Sequence, residues 1–249
     1  MSKKDFENKC AVITGATSGI CARTAMMMAE RGLKALLIIG RNEERAQKVA
    51  AACREAGCET YISLCDVGKT EDIQKTLAYI DEVMPKVDIL VNGAAISPYD
   101  KPWNVETVEH FEWIIDVNLR SQFMFCQAIA KKMVEQRSGS IVNFSSCVAR
   151  TGSGLSLSYA ASKGAIASMT RSLAKVIGPY GVNVNAILPG VIATPMLGDA
   201  DYTEQAQAWP LRRTGRPEEL AEAVMFLASD KSSYMTGTCM DVNGGYVFS

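Results

Sequence analysis

Tyr159 and Lys163 are the residues whose types and spacing point most directly to chemistry. Residues four positions apart share one face of a helix, so the phenol and the ammonium can address the same space. A free phenol has a pKa near ~10, which is too high for a good base at neutral pH, but a nearby ammonium favours the phenolate and lowers that pKa. The pair therefore predicts a tyrosine that serves as a general acid or base.

A serine and an asparagine complete this predicted reaction centre. Ser146 follows the apolar segment Ser140–Phe144, which we expect to be a strand whose end points into the same crevice. Its hydroxyl can hydrogen-bond a substrate oxygen and polarise it. Asn118, on the preceding helical stretch, is placed to orient Lys163 directly or through water. The predicted catalytic residues are Asn118, Ser146, Tyr159 and Lys163.

A glycine-containing turn, Thr14–Cys21, follows the first predicted strand and opens the first predicted helix. Gly15 permits a tight turn, and Gly19 lets the backbone approach a pyrophosphate. The helix N-terminus then presents free N–H groups and the positive end of its dipole to that anion. The segment predicts a dinucleotide cofactor that is contacted by Gly15, Thr17, Ser18, Gly19 and Ile20.

The end of the second predicted strand bears on the choice of nucleotide. Folds that prefer NAD typically place an acid there for the ribose 2′-hydroxyl, whereas a 2′-phosphate favours arginine. This chain has Gly40 and Arg41, and Asn42 adds a further donor. Because Arg41 can offer a charge-assisted fork to phosphate, we predict NADP(H) as the favoured cofactor. The alternative is NAD, with Arg41 an ordinary solvated residue.

Two further strand ends carry candidate cofactor contacts. Asp66 is placed to accept a hydrogen bond from the adenine amino group, while Val67 packs against the ring. Asn92 begins a turn of small residues that can admit the ribose of the cofactor. Each also has an ordinary interpretation as a turn residue, so these residues support the dinucleotide prediction only together with the glycine turn.

Short apolar segments alternate with longer amphipathic ones along the chain. Strands are predicted at Ala11–Thr14, Ala35–Ile39, Tyr61–Leu64, Ile89–Asn92, Ser140–Phe144, Val182–Ile187 and Cys239–Val242. Helices are predicted at Ile20–Arg31, Glu43–Glu55, Glu71–Val83, Val105–Gln136 (with a break), Ser158–Gly178 and Pro217–Ala228. This alternation implies right-handed crossovers and a parallel sheet. We therefore expect one α/β domain over residues 1–249, a doubly wound (Rossmann) fold with about seven parallel strands.

Composition narrows the function classes. With 26 basic and 27 acidic residues the net charge is −1, which gives no global reason to bind nucleic acid. No apolar run approaches the roughly 18 residues of a membrane span, and the start of the chain lacks the apolar stretch of a secretion signal. We expect a soluble, cytoplasmic protein. The eight cysteines form no C-x-x-C pair and the single histidine is His110, so neither a disulfide framework nor a metal site is expected.

These features together resemble the short-chain dehydrogenase/reductase family over almost the whole chain. The family's motifs occur here in order as Thr14–Gly19, Asp66, Asn92, Asn118, Ser146, Tyr159–Lys163 and Pro189-Gly190. The resemblance implies that Tyr159 donates or accepts the proton and that Ser146 positions the substrate oxygen. It also implies that Lys163 lowers the pKa of Tyr159 and binds the nicotinamide ribose, and that Asn118 holds a water in a proton relay.

The resemblance extends to the region after the sixth predicted strand. It implies cofactor contacts, including those to the nicotinamide carboxamide, from Pro189, Gly190, Ile192 and Thr194. A substrate lid is expected at about residues 191–215, and the family's usual homotetramer is expected. Two departures stand out: Cys21 replaces the third glycine of the first motif and adds bulk there, and Ala95 replaces a glycine beside the substrate entrance.

The predicted function is hydride transfer between NADP(H) and a ketone or secondary alcohol, with a small-molecule substrate. Within the family the chain is most similar to 3-oxoacyl-(acyl carrier protein) reductases and to sugar or polyol dehydrogenases, and we take the first as the expected type. An NAD-linked sugar, polyol or hydroxysteroid dehydrogenase is the alternative enzyme. A nucleotide-binding regulator without turnover is the alternative of another class, and the complete set of four catalytic residues argues against it.

Overall fold

The structure is a computed structural model that describes residues 5–98, 101–198 and 200–248. Its strands are β1 (Cys10–Thr14), β2 (Ala35–Gly40), β3 (Glu59–Leu64), β4 (Ile89–Asn92), β5 (Gly139–Phe144), β6 (Val182–Pro189) and β7 (Cys239–Val242). Its α-helices are α1 (Gly19–Glu30), α2 (Glu43–Glu55), α3 (Thr70–Val83), α4 (Val108–Ile115), α5 (Ser121–Gln136), α6 (Val148–Thr151), α7 (Leu157–Ile177), α8 (Thr203–Ala206) and α9 (Pro217–Ala228). The short helices α6 and α8 were not predicted, because four residues carry too little periodicity to recognise.

The strands form one parallel sheet in the order β3-β2-β1-β4-β5-β6-β7. The chain builds outward from β1 through β2 and β3, and then returns to place β4 on the other side of β1. In a doubly wound sheet the ligand crevice lies beyond the carboxyl ends of the strands at this reversal. The predicted doubly wound fold and its seven parallel strands are therefore confirmed.

Apolar side chains on both faces bury the sheet between two layers of helices. Ile13 and Ile38 pack in the core with α1, α2 and α9, whereas Val12 and Leu37 pack on the other face with α3, α5 and α7. Alternate residues of a strand point to opposite faces. A central strand such as β2 is apolar throughout because neither of its faces meets water.

The predicted helix Val105–Gln136, for which a break was expected at no stated position, consists of two α-helices joined by a widened turn. α4 passes into α5 through a π-helical turn, Asp116–Arg120. The helix begins later than predicted because Thr107 caps it, its side-chain oxygen accepting a hydrogen bond from the His110 N–H at 3.3 Å. π-turns are frequent at functional sites, and this one contains Asn118.

The part of the chain that the structure describes has neither a membrane-spanning helix nor a cluster of metal ligands. None of its helices is long and apolar enough to cross a membrane. No group of three or more His, Cys, Asp or Glu side chains there is arranged to hold a metal ion. All eight cysteines are free thiols, and burial raises the pKa of Cys53 and of Cys126 to about 12. Such thiols behave as small apolar side chains.

Candidate active site

A cavity of about 560 Å³ lies across the carboxyl ends of the central strands. Its first half is formed by the turn after β1 and the ends of β2 and β3, and its second half by the loop after β5, the start of α7 and the segment after β6. The predicted site residues on its wall are Gly15, Thr17, Ser18, Gly19, Ile20, Arg41, Asp66, Val67, Ser146, Tyr159, Lys163, Pro189, Gly190, Ile192 and Thr194. The other three predicted site residues, Asn42, Asn92 and Asn118, are not among the residues that line this cavity.

The turn after β1 has the features that a pyrophosphate requires. Ser18 caps α1 without a side-chain hydrogen bond, and the first turn of that helix has no acidic residue. No carboxylate there competes with an anion for the first N–H groups of the helix. Gly15 has φ +70°, and a Cβ built on it would lie 2.8 Å from the backbone nitrogen of Ala94. Only glycine permits this close approach of the two turns. The N-terminus of α1, with no acidic side chain in its first turn, fits the pyrophosphate of a dinucleotide.

Thr14 joins two turns in this half of the cavity. Its hydroxyl oxygen accepts hydrogen bonds from the N–H groups of Gly93 at 3.0 Å and Ala94 at 3.1 Å. The end of β1 thereby fixes the turn after β4, whose residues Ala95 and Ile96 line the cavity. Sequence reasoning treated Thr14 only as the first residue of the glycine motif, because this contact depends on the pairing of β1 with β4.

Arg41, Asp66 and Val67 line the far end of the same half. Arg41 is exposed, so its guanidinium can meet an anion from solution. One carboxylate oxygen of Asp66 accepts a hydrogen bond from the Gly68 N–H at 3.1 Å. A carboxylate can accept several donors, so Asp66 keeps capacity for a nucleobase amino group.

The side chains of Asn42 and Asn92, two residues predicted to lie near a cofactor, form hydrogen bonds within the protein. The side-chain oxygen of Asn42 accepts a hydrogen bond from the Arg45 N–H at 2.8 Å and caps α2. Asn92 is fully buried and donates to Asn143 Oδ1 at 2.9 Å and to the Cys126 sulfur at 3.2 Å. Contact of Asn42 with a cofactor stays a prediction, as does the prediction that the turn after Asn92 admits the ribose; Gly93 and Ala94 of that turn line the cavity.

Tyr159 lies in the first turn of α7 and lines the cavity together with Lys163. Ser156 caps the helix by accepting a hydrogen bond from the Tyr159 N–H at 3.2 Å, which fixes where the helix starts. The Lys163 Nζ lies 5.5 Å from the centre of the Tyr159 ring. The shared helical face predicted from the spacing is therefore present.

The end of β5 holds Lys163 at both its side chain and its backbone. Its Nζ donates to the Phe144 carbonyl at 3.0 Å, and its own carbonyl accepts a hydrogen bond from the Ser145 hydroxyl at 2.7 Å. Lys163 is 2% exposed. Burial lowers the pKa of its amine to about 7 because the ammonium loses its hydration. Sequence reasoning missed Phe144 and Ser145, whose contacts with α7 appear only in the folded chain.

Ser146 lines the same cavity and is 8% exposed. Its hydroxyl oxygen accepts a hydrogen bond from the Val148 N–H at 3.4 Å. Cys147 lines the cavity beside it, and burial raises the pKa of that thiol. A serine hydroxyl is both a donor and an acceptor, so Ser146 can still donate to a substrate oxygen.

Asn118 makes no direct hydrogen bond to Lys163, and the alternative that it acts on that lysine through water stays a prediction. Its side-chain oxygen accepts a hydrogen bond from the Ile96 N–H at 2.8 Å. Its side-chain nitrogen donates to the Ile96 carbonyl at 3.0 Å and to the Ser162 hydroxyl at 3.2 Å. Asn118 therefore joins the turn after β4 to α7, at the residue before Lys163.

Backbone hydrogen bonds close the base of the predicted lid, residues 191–215. The Ala193 N–H donates to the Gly215 carbonyl at 2.9 Å, and the Gly215 N–H donates to the Val191 carbonyl at 2.9 Å. Pro195, Met196 and Leu197 of the intervening chain line the cavity. Asp199, within this segment, lies outside the described residues.

Uncharged side chains form most of the cavity wall. Among the described residues of the wall, the charged ones are Arg41, Asp66 and Lys163. The apolar residues of the wall include Ile96, Val148, Leu155 and Met196, and Ser97, Ser153, Tyr202 and Tyr246 contribute hydroxyl groups. Leu155 and Met196 are 62% and 50% exposed, so this apolar surface is open to a ligand.

Comparisons with known proteins match nearly the whole chain. Residues 15–247 match a family model described as enoyl-(acyl carrier protein) reductase. The short-chain reductase protein NovJ of Streptomyces niveus is 38% identical, over 96% of this chain and 94% of its own length. The 3-oxoacyl-[acyl-carrier-protein] reductase FabG of Chlamydia trachomatis is 36% identical, over 96% of this chain and 97% of its own.

Solved structures with similar folds hold nicotinamide dinucleotides. A 3-oxoacyl-[acyl-carrier protein] reductase from Brucella melitensis with bound NAD has a TM-score of 0.89 at 33% identity, covering 98% of this chain and 93% of that chain. A 3-oxoacyl (acyl-carrier-protein) reductase from Agrobacterium tumefaciens C58 with NADP bound has a TM-score of 0.91 at 26% identity, covering 97% of this chain and 95% of that one.

Proposed function

The chain belongs to the short-chain dehydrogenase/reductase family and is a nicotinamide-dependent oxidoreductase, and from that premise we propose that it reduces a 3-oxoacyl substrate with NADPH. One observation carries the proposal. Ser146, Tyr159 and Lys163 line the same cavity as the turn after β1, and the Lys163 Nζ lies 5.5 Å from the centre of the Tyr159 ring. A ketone placed between the two halves of this cavity has a proton donor beside its oxygen.

In the proposed reaction the protein donates a proton to the substrate and positions the substrate oxygen that receives it. A nicotinamide dinucleotide supplies hydride transfer when bound. Tyr159 gives its phenolic proton to the ketone oxygen, and Ser146 donates a hydrogen bond to the same oxygen. The amine of Lys163, when protonated, stabilises the phenolate that remains. Asn118 supports this arrangement by holding the turn after β4 against α7.

NADP(H) is the proposed nucleotide because of Arg41. Arg41 is exposed directly after β2. In folds that prefer NAD, an acidic residue at this position hydrogen-bonds the ribose 2′-hydroxyl. A bidentate bond to a 2′-phosphate is the strongest contact the Arg41 side chain can make there. The remaining cofactor contacts come from the turn after β1, Asp66 and Val67, and from the segment that begins at Pro189.

The apolar wall supports a 3-oxoacyl substrate over a sugar or polyol. Burying a hydroxyl without a hydrogen-bond partner is costly, and side chains such as Ile96 and Leu155 offer no partner. An alkyl chain instead gains from leaving water. A regulator without turnover is disfavoured because Tyr159 and Lys163 lie together with Ser146 on the cavity wall.

A substrate series read by nicotinamide absorbance tests the proposal. We expect kcat/KM with NADPH to rise about two- to fourfold per methylene from ethyl 3-oxobutanoate to ethyl 3-oxohexanoate, and dihydroxyacetone to be poor. Leu155→Ser should flatten this rise, whereas Leu64→Ser, at a comparably exposed leucine outside the cavity, should not. A preference for dihydroxyacetone would favour a polyol dehydrogenase. Nucleotide binding without turnover on any of these compounds would favour the regulator.

We also propose a cytoplasmic homotetramer with no nucleic-acid or membrane partner. Exposed apolar residues on α4 and α5 and near the C-terminus are suited to contacts between subunits; they are Val108, Phe111, Trp113, Phe123 and Phe248. The eight free thiols are in keeping with a reducing compartment. A monomer mass by sedimentation would contradict the assembly.

A further inference from the structure

The loop after Ser146 determines where its hydroxyl can point. The Ser146 oxygen accepts a hydrogen bond from the N–H of Val148, the first residue of α6. Gly152, with φ +73°, ends α6 after four residues. So short a helix is not stable alone. Its position, and with it the orientation of Ser146, therefore depends on contacts with other elements.

One such contact fixes the start of α6. The Cys147 N–H donates to the Pro189 carbonyl at the end of β6, at 3.0 Å. The rest of α6 packs against α7, and a second hydrogen-bonded anchor fixes the direction of the helix relative to the sheet.

Arg150 supplies the second anchor through hydrogen bonds to β7. Its Nε donates to Asp241 Oδ1 at 3.1 Å, and its Nη2 lies 3.0 Å from Asp241 Oδ2. The same Nη2 donates to the Cys239 carbonyl at 3.0 Å. The side chains of Arg150 and Asp241 are only 28% and 17% exposed. A bidentate pair of this kind fixes direction as well as distance.

We propose that Arg150, paired with Asp241, is a positioning residue that sets the orientation of the Ser146 hydroxyl toward the substrate oxygen. This inference rests on the proposed function, because it requires Ser146 to bind that oxygen. Arg150 is not among the described residues that line the cavity, so its effect reaches the substrate through Ser146. Its replacement should lower turnover without changing nucleotide affinity.

The test uses Arg150→Lys, which keeps the positive charge but cannot form the bidentate pair with Asp241. We expect kcat to fall about tenfold, with the NADPH dissociation constant and the melting temperature nearly unchanged. Asp241→Asn, which weakens the same pair from the other side, should have a similar effect. Arg31→Lys is the matched control, because Arg31 makes a bidentate pair with Glu222 and does not line the cavity. It should leave kcat unchanged.

A double-mutant cycle with Ser146→Ala separates this inference from the proposed function. In the Ser146→Ala background, Arg150→Lys should cost less than about twofold in kcat. An equal loss in both backgrounds, or an unchanged kcat in Arg150→Lys and Asp241→Asn while Ser146→Ala is impaired, overturns the positioning role alone. A Ser146→Ala enzyme with full kcat overturns the proposed catalytic role of Ser146 and this inference with it.

Discussion

Cys21 and Gly93 pack against each other on the wall of the cavity: a Cβ built on Gly93 would lie 2.0 Å from the Cys21 sulfur. Both residues line the cavity. Burial raises the pKa of the Cys21 thiol to about 12, so it is a neutral side chain at physiological pH. Because Gly93 has no side chain, the Cys21 thiol can occupy the space beside it. This explains how the chain accommodates a cysteine where the glycine motif after β1 has its third glycine in the family.

A side chain at position 93 should displace Cys21. We expect Gly93→Ala to cost about 1–3 kcal/mol of unfolding free energy through overpacking, and to weaken NADPH binding because the displaced thiol lies on the cavity wall. Cys21→Gly should restore both in the double variant. Urea unfolding and nucleotide titration measure the two effects.

Gly178→Ala is the control for this pair, since a Cβ there would meet nothing within 4 Å. Its stability should be close to that of the wild type. Additive effects of Gly93→Ala and Cys21→Gly, with no recovery in the double variant, would show that the two residues are not coupled.

Tyr159→Phe should remove the proton donor and little else. General acid catalysis contributes about 10²–10⁴ in rate, so kcat should fall within that range while the NADPH dissociation constant stays nearly the same. Tyr234→Phe is the control, because Tyr234 is fully exposed and lies outside the cavity. A Tyr159→Phe enzyme with normal turnover would refute the assignment of the proton donor.

The buried amine of Lys163 should make the stability of the nucleotide-free protein depend on pH. Its pKa is about 7 in the folded protein against an ordinary 10.5, so between these values the unfolded chain holds a proton that the folded chain does not. The unfolding free energy contributed by this group therefore rises with pH through that window, by up to about 1.4 kcal/mol per pH unit. Below pH 7 this contribution is flat.

Lys163→Met isolates this effect. The difference in unfolding free energy between wild type and Lys163→Met should shift in favour of the wild type as pH rises from 7 to 9, measured by urea unfolding. Lys175→Met, at an exposed lysine of the same helix, should run parallel to the wild type. Parallel curves for Lys163→Met as well would mean that the Lys163 amine keeps its ordinary pKa when buried.

The sequence was sufficient to predict features that depend on one helix or one strand alone. β2 was expected at Ala35–Ile39 and ends one residue later, because an apolar run covered on both faces is recognisable without knowledge of its neighbours. The spacing of Tyr159 and Lys163 likewise lies within one helix. Its geometry therefore follows from the helical repeat alone.

Sequence reasoning was less successful where the partner of a side chain comes from a distant segment. Asn118 pairs with Ile96 and Ser162, and Asn92 pairs with a residue of the neighbouring strand β5. A polar side chain near a strand end can bind a ligand or satisfy another buried polar group. The order of the strands and the packing of α7 determine which of these two roles the side chain has. Neither can be recognised from the sequence around the residue.

Arg41→Asp should change the preference between the two nucleotides. The substitution removes the guanidinium that would bind the 2′-phosphate and places there an acid that can accept the ribose 2′-hydroxyl. We expect the ratio of kcat/KM with NADPH to that with NADH to fall about tenfold to a hundredfold, the range for a lost hydrogen bond to a charged group. Arg45→Asp is the control, because Arg45 is exposed nearby but does not line the cavity, and it should shift the ratio far less. An equal shift in both variants would indicate a general charge effect.

An unchanged ratio in Arg41→Asp would show that Arg41 does not bind the 2′-phosphate, because the enzyme would then discriminate between the two nucleotides without the Arg41 guanidinium.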